Sequence, residues 1–287
     1  MAEDFQVAVD SGAGDGVVTG TAAGPPDGDT VLFLHGWPQS RHSWADTLDL
    51  AAADGHRALA IDLPGIGDSA SARTDGSKVA LAVVVGEVLA AVHARRPVLV
   101  GTDVGGMTTY AALRSVPGLR AAVIMDVAVP GVEPWPSVVA NPHIWHFAFH
   151  TVPDLPETMV GGREAPYFDY FFDILSADRG AVSPRSREAS VAAYATHERL
   201  AAGFDFYRTF GADEKANTAA AQIPVTTPLL YLRGEHEWGD IDVYDKGFRA
   251  AGITDLTTGI IDGSGHYAAD ENPEAVWRLV SGFLATH

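Results

Sequence analysis

Residues 30–36 of this 287-residue chain (TVLFLHG) carry apolar side chains without alternation and end on glycine. An uninterrupted run of that length, closed by a turn residue, marks a strand buried on both faces. The pattern recurs in RALAIDLPG (57–65), PVLVGTD (97–103) and residues 120–127, then returns from Thr227 as PLLYLRG and later LTTGIID. Helical stretches separate these runs: residues 40–53 after the Pro38 turn, residues 78–94, the segment from Val104, and a terminal helix at 274–285. Strands alternating with helices predict a mostly parallel sheet covered on both faces. The first segment, to about Gly28, is rich in Gly and Asp and alternates weakly, which predicts one or two short edge strands.

Between residues 130 and 222 the pattern changes. Aromatics, prolines and charges crowd together, with no buried-strand run, and IWHFAFH, APYFDYFFDIL, SREASVAAYATHERL and FDFYRTF read as helices joined by loops. The simplest organisation is an α/β domain made of residues 1–129 and 223–287, interrupted by a helical insertion at 130–222. No internal repeat or low-complexity tract is visible.

Composition narrows the chemistry. Nineteen Lys and Arg stand against 37 Asp and Glu, a formal charge of −18, and a surface so acidic repels phosphate backbones. Nucleic acid is therefore not an expected partner. The chain has no cysteine, so disulfides, a thiolate nucleophile and Cys-ligated metal centres are excluded. The N-terminal MAEDFQVAVDSG lacks the basic and apolar regions of a secretory signal. The longest apolar stretch, residues 79–92, is broken by Gly86 and Glu87 and is too short to span a bilayer. These features read as a soluble cytoplasmic protein.

Three motifs carry chemistry. In VLVGTDVGG (98–106) a strand ends in G-x-D-x-G, a pattern that forces a sharp strand-to-helix turn and presents the central side chain at its tip. That side chain is Asp103; taken alone, a carboxylate there could simply cap the helix. His35–Gly36–Trp37–Pro38 ends the preceding core strand, where backbone amides can form an oxyanion hole; its donors would be the amides of Trp37 and Val104. Gly263–Ser264–Gly265–His266–Tyr267 follows the last strand, so His266 sits where open α/β sheets keep their sites.

Taken in order, HGWPQS, DLPGIGDS, GTDVGG, YLRGE and GSGH resemble an α/β-hydrolase, and Asp at the elbow resembles the epoxide hydrolase and dehalogenase branch. The resemblance covers the whole sheet domain, and the insertion at 130–222 is similar to that branch's cap in place and length. It implies opening of an epoxide to a diol through an ester on Asp103, hydrolysed by water that His266 activates. His266 then needs a carboxylate partner. Glu237, just past the strand ending at Gly234, is the first choice; Asp126, at the end of the strand after the elbow, is the alternative. Glu235, Asp240 and Asp242 crowd the same loop and read as a solvated acidic turn. The family places two cap tyrosines over the nucleophile. FDFYRTF puts Tyr207 at the second position, whereas IWHFAFH offers Trp145 or His146 and no tyrosine at the first. Tyr207 assisted by Trp145 is the expected donor pair.

The expected partner is a small, largely apolar epoxide, with neither cofactor nor metal, and a homodimer is left open. Two other motifs are set aside. His143, His146 and His150 share a helix face but have no carboxylate in register. The Gly12–Gly16 cluster lacks a phosphate-loop spacing and a following helix. The alternatives are a dehalogenase using the same nucleophile, and a non-catalytic ligand-binding homologue. The fluoroacetate type of dehalogenase is disfavoured, since Val104 follows Asp103 and the nearest downstream arginine is Arg114.

Overall fold

The computed structural model describes residues 2–10, 12 and 14–287, so Ala13 of the glycine cluster lies outside the described residues. Eight strands form one sheet: β1 (Glu3–Asp10), β2 (Asp15–Ala23), β3 (Thr30–Leu34), β4 (Arg57–Ile61), β5 (Val98–Thr102), β6 (Ala121–Met125), β7 (Leu229–Gly234) and β8 (Leu256–Ile261). Their order is β1-β2-β4-β3-β5-β6-β7-β8. β1, at the edge, pairs antiparallel with β2, and β2 pairs antiparallel with β4; at eight and nine residues they are longer than the short edge strands expected, and β2 is not at the edge. Every other pairing is parallel. The fold is that of an α/β-hydrolase.

Strand alternation builds two apolar layers from runs that look uniform in sequence. Leu32, Leu34, Leu99 and Ile124 face one side, where they meet Leu81, Val85 and Tyr110 of α2 (Lys78–Ala91) and α3 (Val104–Ser115). Val31, Phe33, Val100 and Met125 face the other, where they meet Leu48 of α1 (Ala45–Ala53) and Trp277 and Val280 of the terminal helix (Pro273–Leu284). A sheet covered on both faces leaves its carboxyl ends as the open edge. There β3, β5, β6 and β7 deliver the loops that begin at His35, Asp103, Asp126 and Glu235.

Between β6 and β7 every element is a helix, in the order α4 (Trp135–Val139), α5 (Trp145–Thr151), α6 (Leu155–Val160), α7 (Glu164–Leu175), α8 (Pro184–Ala193), α9 (His197–Arg208) and α10 (Phe210–Ala220), with a 3-10 turn at Pro142–Ile144. Three details differ from the sequence reading. The helix expected over 40–53 opens as a 3-10 turn, Arg41–Trp44. The run SREASVAAYATHERL breaks at Tyr194, whose hydroxyl donates to the Gln39 carbonyl at 3.2 Å; Thr196 then caps α9. A helix missed between β7 and β8, α11 (Ile241–Ala250), shows its helical period only in the buried Tyr244, Gly247 and Phe248.

One ion pair ties the inserted helices to the sheet layer. Lys78 opens α2, and its ammonium lies 2.9 Å from a carboxylate oxygen of Asp213 on α10, both side chains being 2 % exposed. The other oxygen of Asp213 accepts the Lys78 backbone N–H at 2.9 Å. Nζ also donates to the Phe206 carbonyl and to Thr209 Oγ1. Burial lowers the Lys78 pKa, and the Asp213 carboxylate offsets only part of that. Removing one partner of such a pair strands a charge in the interior. Lys78→Met is expected to lower the unfolding free energy by about 3–5 kcal/mol in urea titration with an unchanged slope.

Candidate active site

Asp103 sits at the junction of β5 and α3 with φ 48° and ψ −123°, a conformation that L side chains rarely adopt. Close approach of backbone to backbone enforces it. A Cβ on Gly105 would lie 2.2 Å from the Leu34 carbonyl oxygen, and one on Gly101 would lie 2.2 Å from that of Gly105. Only glycine lets α3 start so close to β3 and β5. The loop after β3 then folds over the elbow: a Cβ on Gly36 would sit 2.5 Å from that of Asp103. His35 steadies this loop, its Nε2 accepting from the Leu63 amide at 2.9 Å while Nδ1 contacts the Gly36 carbonyl at 2.8 Å. With Nε2 as acceptor, Nδ1 carries the proton and the ring is neutral, as its burial favours.

The Asp103 carboxylate has two different faces. Oδ1 accepts the Trp37 backbone N–H at 2.9 Å, and the Val104 amide also bonds the carboxylate. Oδ2 points to His266, 3.7 Å from its Nε2, which is too long for a hydrogen bond but close enough for charge pairing. Both amides expected at the oxyanion hole therefore converge on Asp103 itself.

Of the two carboxylates left open for His266, Glu237 makes the contact. Its Oε1 lies 2.6 Å from Nδ1 of the ring. Its Oε2 accepts from Arg233 at 3.0 Å and from the Trp238 amide at 3.2 Å. Arg233 in turn lies over the Tyr244 ring and donates to Tyr231 and the Trp238 carbonyl. Asp126 is buried one strand away. Its Oδ1 is occupied by the Gly234 amide at 2.7 Å, and its Oδ2 has no hydrogen-bond partner among the described residues.

Above the elbow the helices of the insertion enclose a cavity of about 800 Å³ lined by Asp103, His266, Met107, Phe147, Phe171 and Trp238, among others. Trp145 lines it too, but is 41 % exposed, and its Nε1 points to the Tyr170 hydroxyl at 3.5 Å. The residue turned inward is its neighbour, His146. That ring lies 6.3 Å from the Trp37 ring and 5.9 Å from that of Tyr207, and its buried Nδ1 has no partner. Tyr207 is packed among Trp37, His146, His150 and Phe210. Tyr194, another residue near Asp103, has already spent its hydroxyl on Gln39. The three spaced histidines do not converge: His143 sits in the separate 3-10 turn, its ring against Trp238, and His150 reaches the Tyr167 hydroxyl at 2.7 Å.

Comparison with known proteins shows the family. Residues 31–279 match the alpha/beta hydrolase family. The chain belongs to that family. It is 27% identical over 266 residues to a soluble epoxide hydrolase of Corynebacterium sp., covering 89% of this chain and 90% of that protein. It is 28% identical over 266 residues to an esterase of Mycobacterium tuberculosis, covering 89% and 83%. Among solved structures, wild-type Cfl2 from Burkholderia cenocepacia superposes with a TM-score of 0.85 at 26% identity, covering 98% of this chain and 95% of that one.

As in any hydrolase of this family, the charges at the elbow decide what each group can do. Burial alone would push the Asp103 pKa up, but His266 and the amides of Trp37 and Val104 hold it below its ordinary value. Burial favours neutral His266, yet Asp103 and Glu237 outweigh it and raise its pKa well above the ordinary value. Burial and the charge of Glu237 push Asp126 up. His146 is pushed down to about 4 by burial and by His266, against Asp103, so its ring is neutral near pH 7. Burial raises Tyr207 well above its usual range and Asp103 adds to this, which keeps the phenol protonated.

The His266 shift has a definite sign. A histidine whose pKa is higher folded than unfolded stabilises the fold fully below its unfolded value, about 6.5, and loses that contribution as pH rises through the folded value. The unfolding free energy of wild type is expected to exceed that of His266→Gln most below pH 6.5, with the gap closing toward alkaline pH. A gap that widened with pH in urea titrations would contradict the arrangement.

Proposed function

We propose that this hydrolase opens an epoxide to a vicinal diol through a covalent ester on Asp103. The observation that carries the reading is the two-faced carboxylate, with Oδ1 bound to the Trp37 amide while Oδ2 faces His266 at 3.7 Å. Asp103 Oδ2 attacks an epoxide carbon from the elbow, and the carbon–oxygen bond of the ring breaks. The departing oxygen takes a proton from Tyr207, with His146 as the second donor of the inserted cap (residues 130–222). Trp145 is the weaker candidate, because its N–H is turned to Tyr170. Ester formation removes the negative charge of Asp103 and with it part of the pull that keeps His266 protonated. Its proton passes to the Tyr207 phenolate, and the neutral imidazole is then a base with an ester to hydrolyse.

Water, deprotonated by His266, then attacks the carboxyl carbon of Asp103. The carbonyl oxygen becomes an oxyanion between the amides of Trp37 and Val104, and Glu237 holds the imidazolium. Collapse releases the diol and leaves one water oxygen on Asp103. The departing ester oxygen takes the proton of the added hydroxyl, so Asp103 is again a carboxylate, His266 an imidazolium and Tyr207 a phenol, and the sum is epoxide plus water. Similarity to the soluble epoxide hydrolase of Corynebacterium sp. supports the same reaction class. The esterase similarity does not favour acyl chemistry here, because a carboxylate at the elbow is a poor acyl nucleophile, whereas it displaces well at strained saturated carbon.

Incubation with styrene oxide is expected to yield diol, while 1-bromobutane yields no bromide; the reverse outcome would assign a dehalogenase. Asp103→Ala should form neither product nor adduct, and His266→Gln should accumulate a covalent adduct visible by intact mass. Tyr207→Phe is expected to slow ester formation by about 10²–10⁴ while leaving breakdown of a preformed ester near wild type, and Trp145→Phe to have a much smaller effect.

The cavity also bears on substrate charge. Its one lining arginine among the described residues, Arg233, is committed to Glu237, Tyr231 and Trp238, and the His266 imidazolium is held between Asp103 and Glu237, so neither cation is left for a substrate carboxylate. An epoxide ending in a carboxylate is therefore expected to show a kcat/KM about tenfold or more below that of its methyl ester. Equal values for the matched pair would refute a neutral-substrate cavity.

A further inference from the structure

His266 must hold its ring between two carboxylates, yet it stands on a glycine-flanked loop with little intrinsic rigidity. The loop is fixed from outside. Glu271, the last residue of the one-turn helix α12 (Ala268–Glu271), directs its carboxylate back onto that loop. Oε2 accepts the Gly265 amide at 3.0 Å and Oε1 accepts the Tyr267 amide at 2.9 Å, so both neighbours of His266 are bound by one side chain. Oε2 also accepts the amide of Ala177, at 2.7 Å, from the segment after α7 of the cap. That segment presses on the loop from the other side. The His266 N–H donates to the Leu175 carbonyl at 2.9 Å, and a Cβ on Gly265 would meet that carbonyl oxygen at 2.4 Å. Three amides that would otherwise need separate partners share one carboxylate, in charge-assisted bonds about twice as strong as neutral ones.

We propose that Glu271 is the positioning residue of the hydrolytic step, a clamp that joins the cap to the His266 loop and sets where the imidazole stands over the ester. The proposal rests on the Asp103–His266 reading above. Glu271 touches no reacting atom. Its loss displaces His266 and leaves Asp103, Trp37 and Tyr207 in place, because no hydrogen bond from Glu271 reaches the elbow or α9. It should therefore change the balance between the two chemical steps. A loss of general stability would slow both alike.

The test is rapid-quench intact mass with styrene oxide on wild type, Glu271→Gln and His266→Gln. Glu271→Gln keeps the shape but faces an amide donor with a second donor. It is expected to form ester within about twofold of the wild-type rate and to hydrolyse it about 10–10²-fold more slowly, since a displacement of about 1 Å can cost 10²-fold. Adduct would then accumulate. Ala177→Pro removes the cap's N–H and sets the ring Cδ where it pointed, which forces Glu271 off this segment; Ser176 before it is already extended (φ −77°, ψ 153°), as a following proline requires. It should give the same imbalance in smaller measure, and it serves should Glu271→Gln not fold. Equal slowing of both steps, or wild-type partitioning in the variant that folds, would overturn the clamp. If His266→Gln traps ester and the clamp variants do not, the clamp alone fails. If His266→Gln forms product without any adduct, the covalent reading falls and the clamp with it.

Discussion

The constraint on which the site depends is the distance at which α3 is allowed to start. Helix, strand and the loop after β3 meet so closely at Gly36, Gly101 and Gly105 that no side chain fits between them. This contact forces Asp103 into its unusual backbone conformation, and the conformation in turn points the carboxylate out of the sheet. The same contact brings the Trp37 amide onto one carboxylate oxygen and leaves the other free. One steric fact thus makes the two carboxylate oxygens different, one bound to an amide and one facing His266. Strain of this kind costs of order 1–3 kcal/mol, and the packing around the elbow must supply it.

Electrostatics supplies the second layer of order. Three carboxylates (Asp103, Asp126 and Glu237) surround His266, but they are not equivalent. Glu237 is held ionised by His266 and Arg233 against its burial, whereas Asp126 is driven toward its neutral form by burial and by Glu237. Each added charge would raise the cost of the next. The arrangement keeps two negative groups on the imidazole and neutralises the third, so that His266 responds to the state of Asp103 instead of being fixed in one protonation state.

How much of this was legible depends on whether a feature leaves a compositional trace. The elbow and the His266 loop did, because backbone contacts demand glycine at set positions. The convergence of the Trp37 and Val104 amides on Asp103 followed from loop order. The partner of His266 did not, because Asp126 and Glu237 both follow strand ends and only distance separates them. Which residue of α5 turns inward was obscured by helical phase. Trp145 and His146 are adjacent, about 100° apart around α5, and aromatics on every side erase the polar–apolar contrast that would set the phase. Lys78 and Glu271 left no signal, since their partners are backbone groups or residues far along the chain.

The pairing of β6 with β7 has one more consequence. Ala122 and Leu229 are neighbours in the sheet although the whole insertion separates them in the chain. Closing such a loop costs free energy that grows only with the logarithm of its length, about 0.6 kcal/mol for each doubling. Once β6 and β7 are joined by anything long, a longer or shorter connection changes stability little. The carboxyl edge of the sheet therefore behaves as a socket. Asp103, Glu237 and His266, which follow β5, β7 and β8, belong to the socket, and the helices plugged into it can be lengthened, trimmed or exchanged as a unit, provided that their contacts to Lys78 and to the His266 loop are remade.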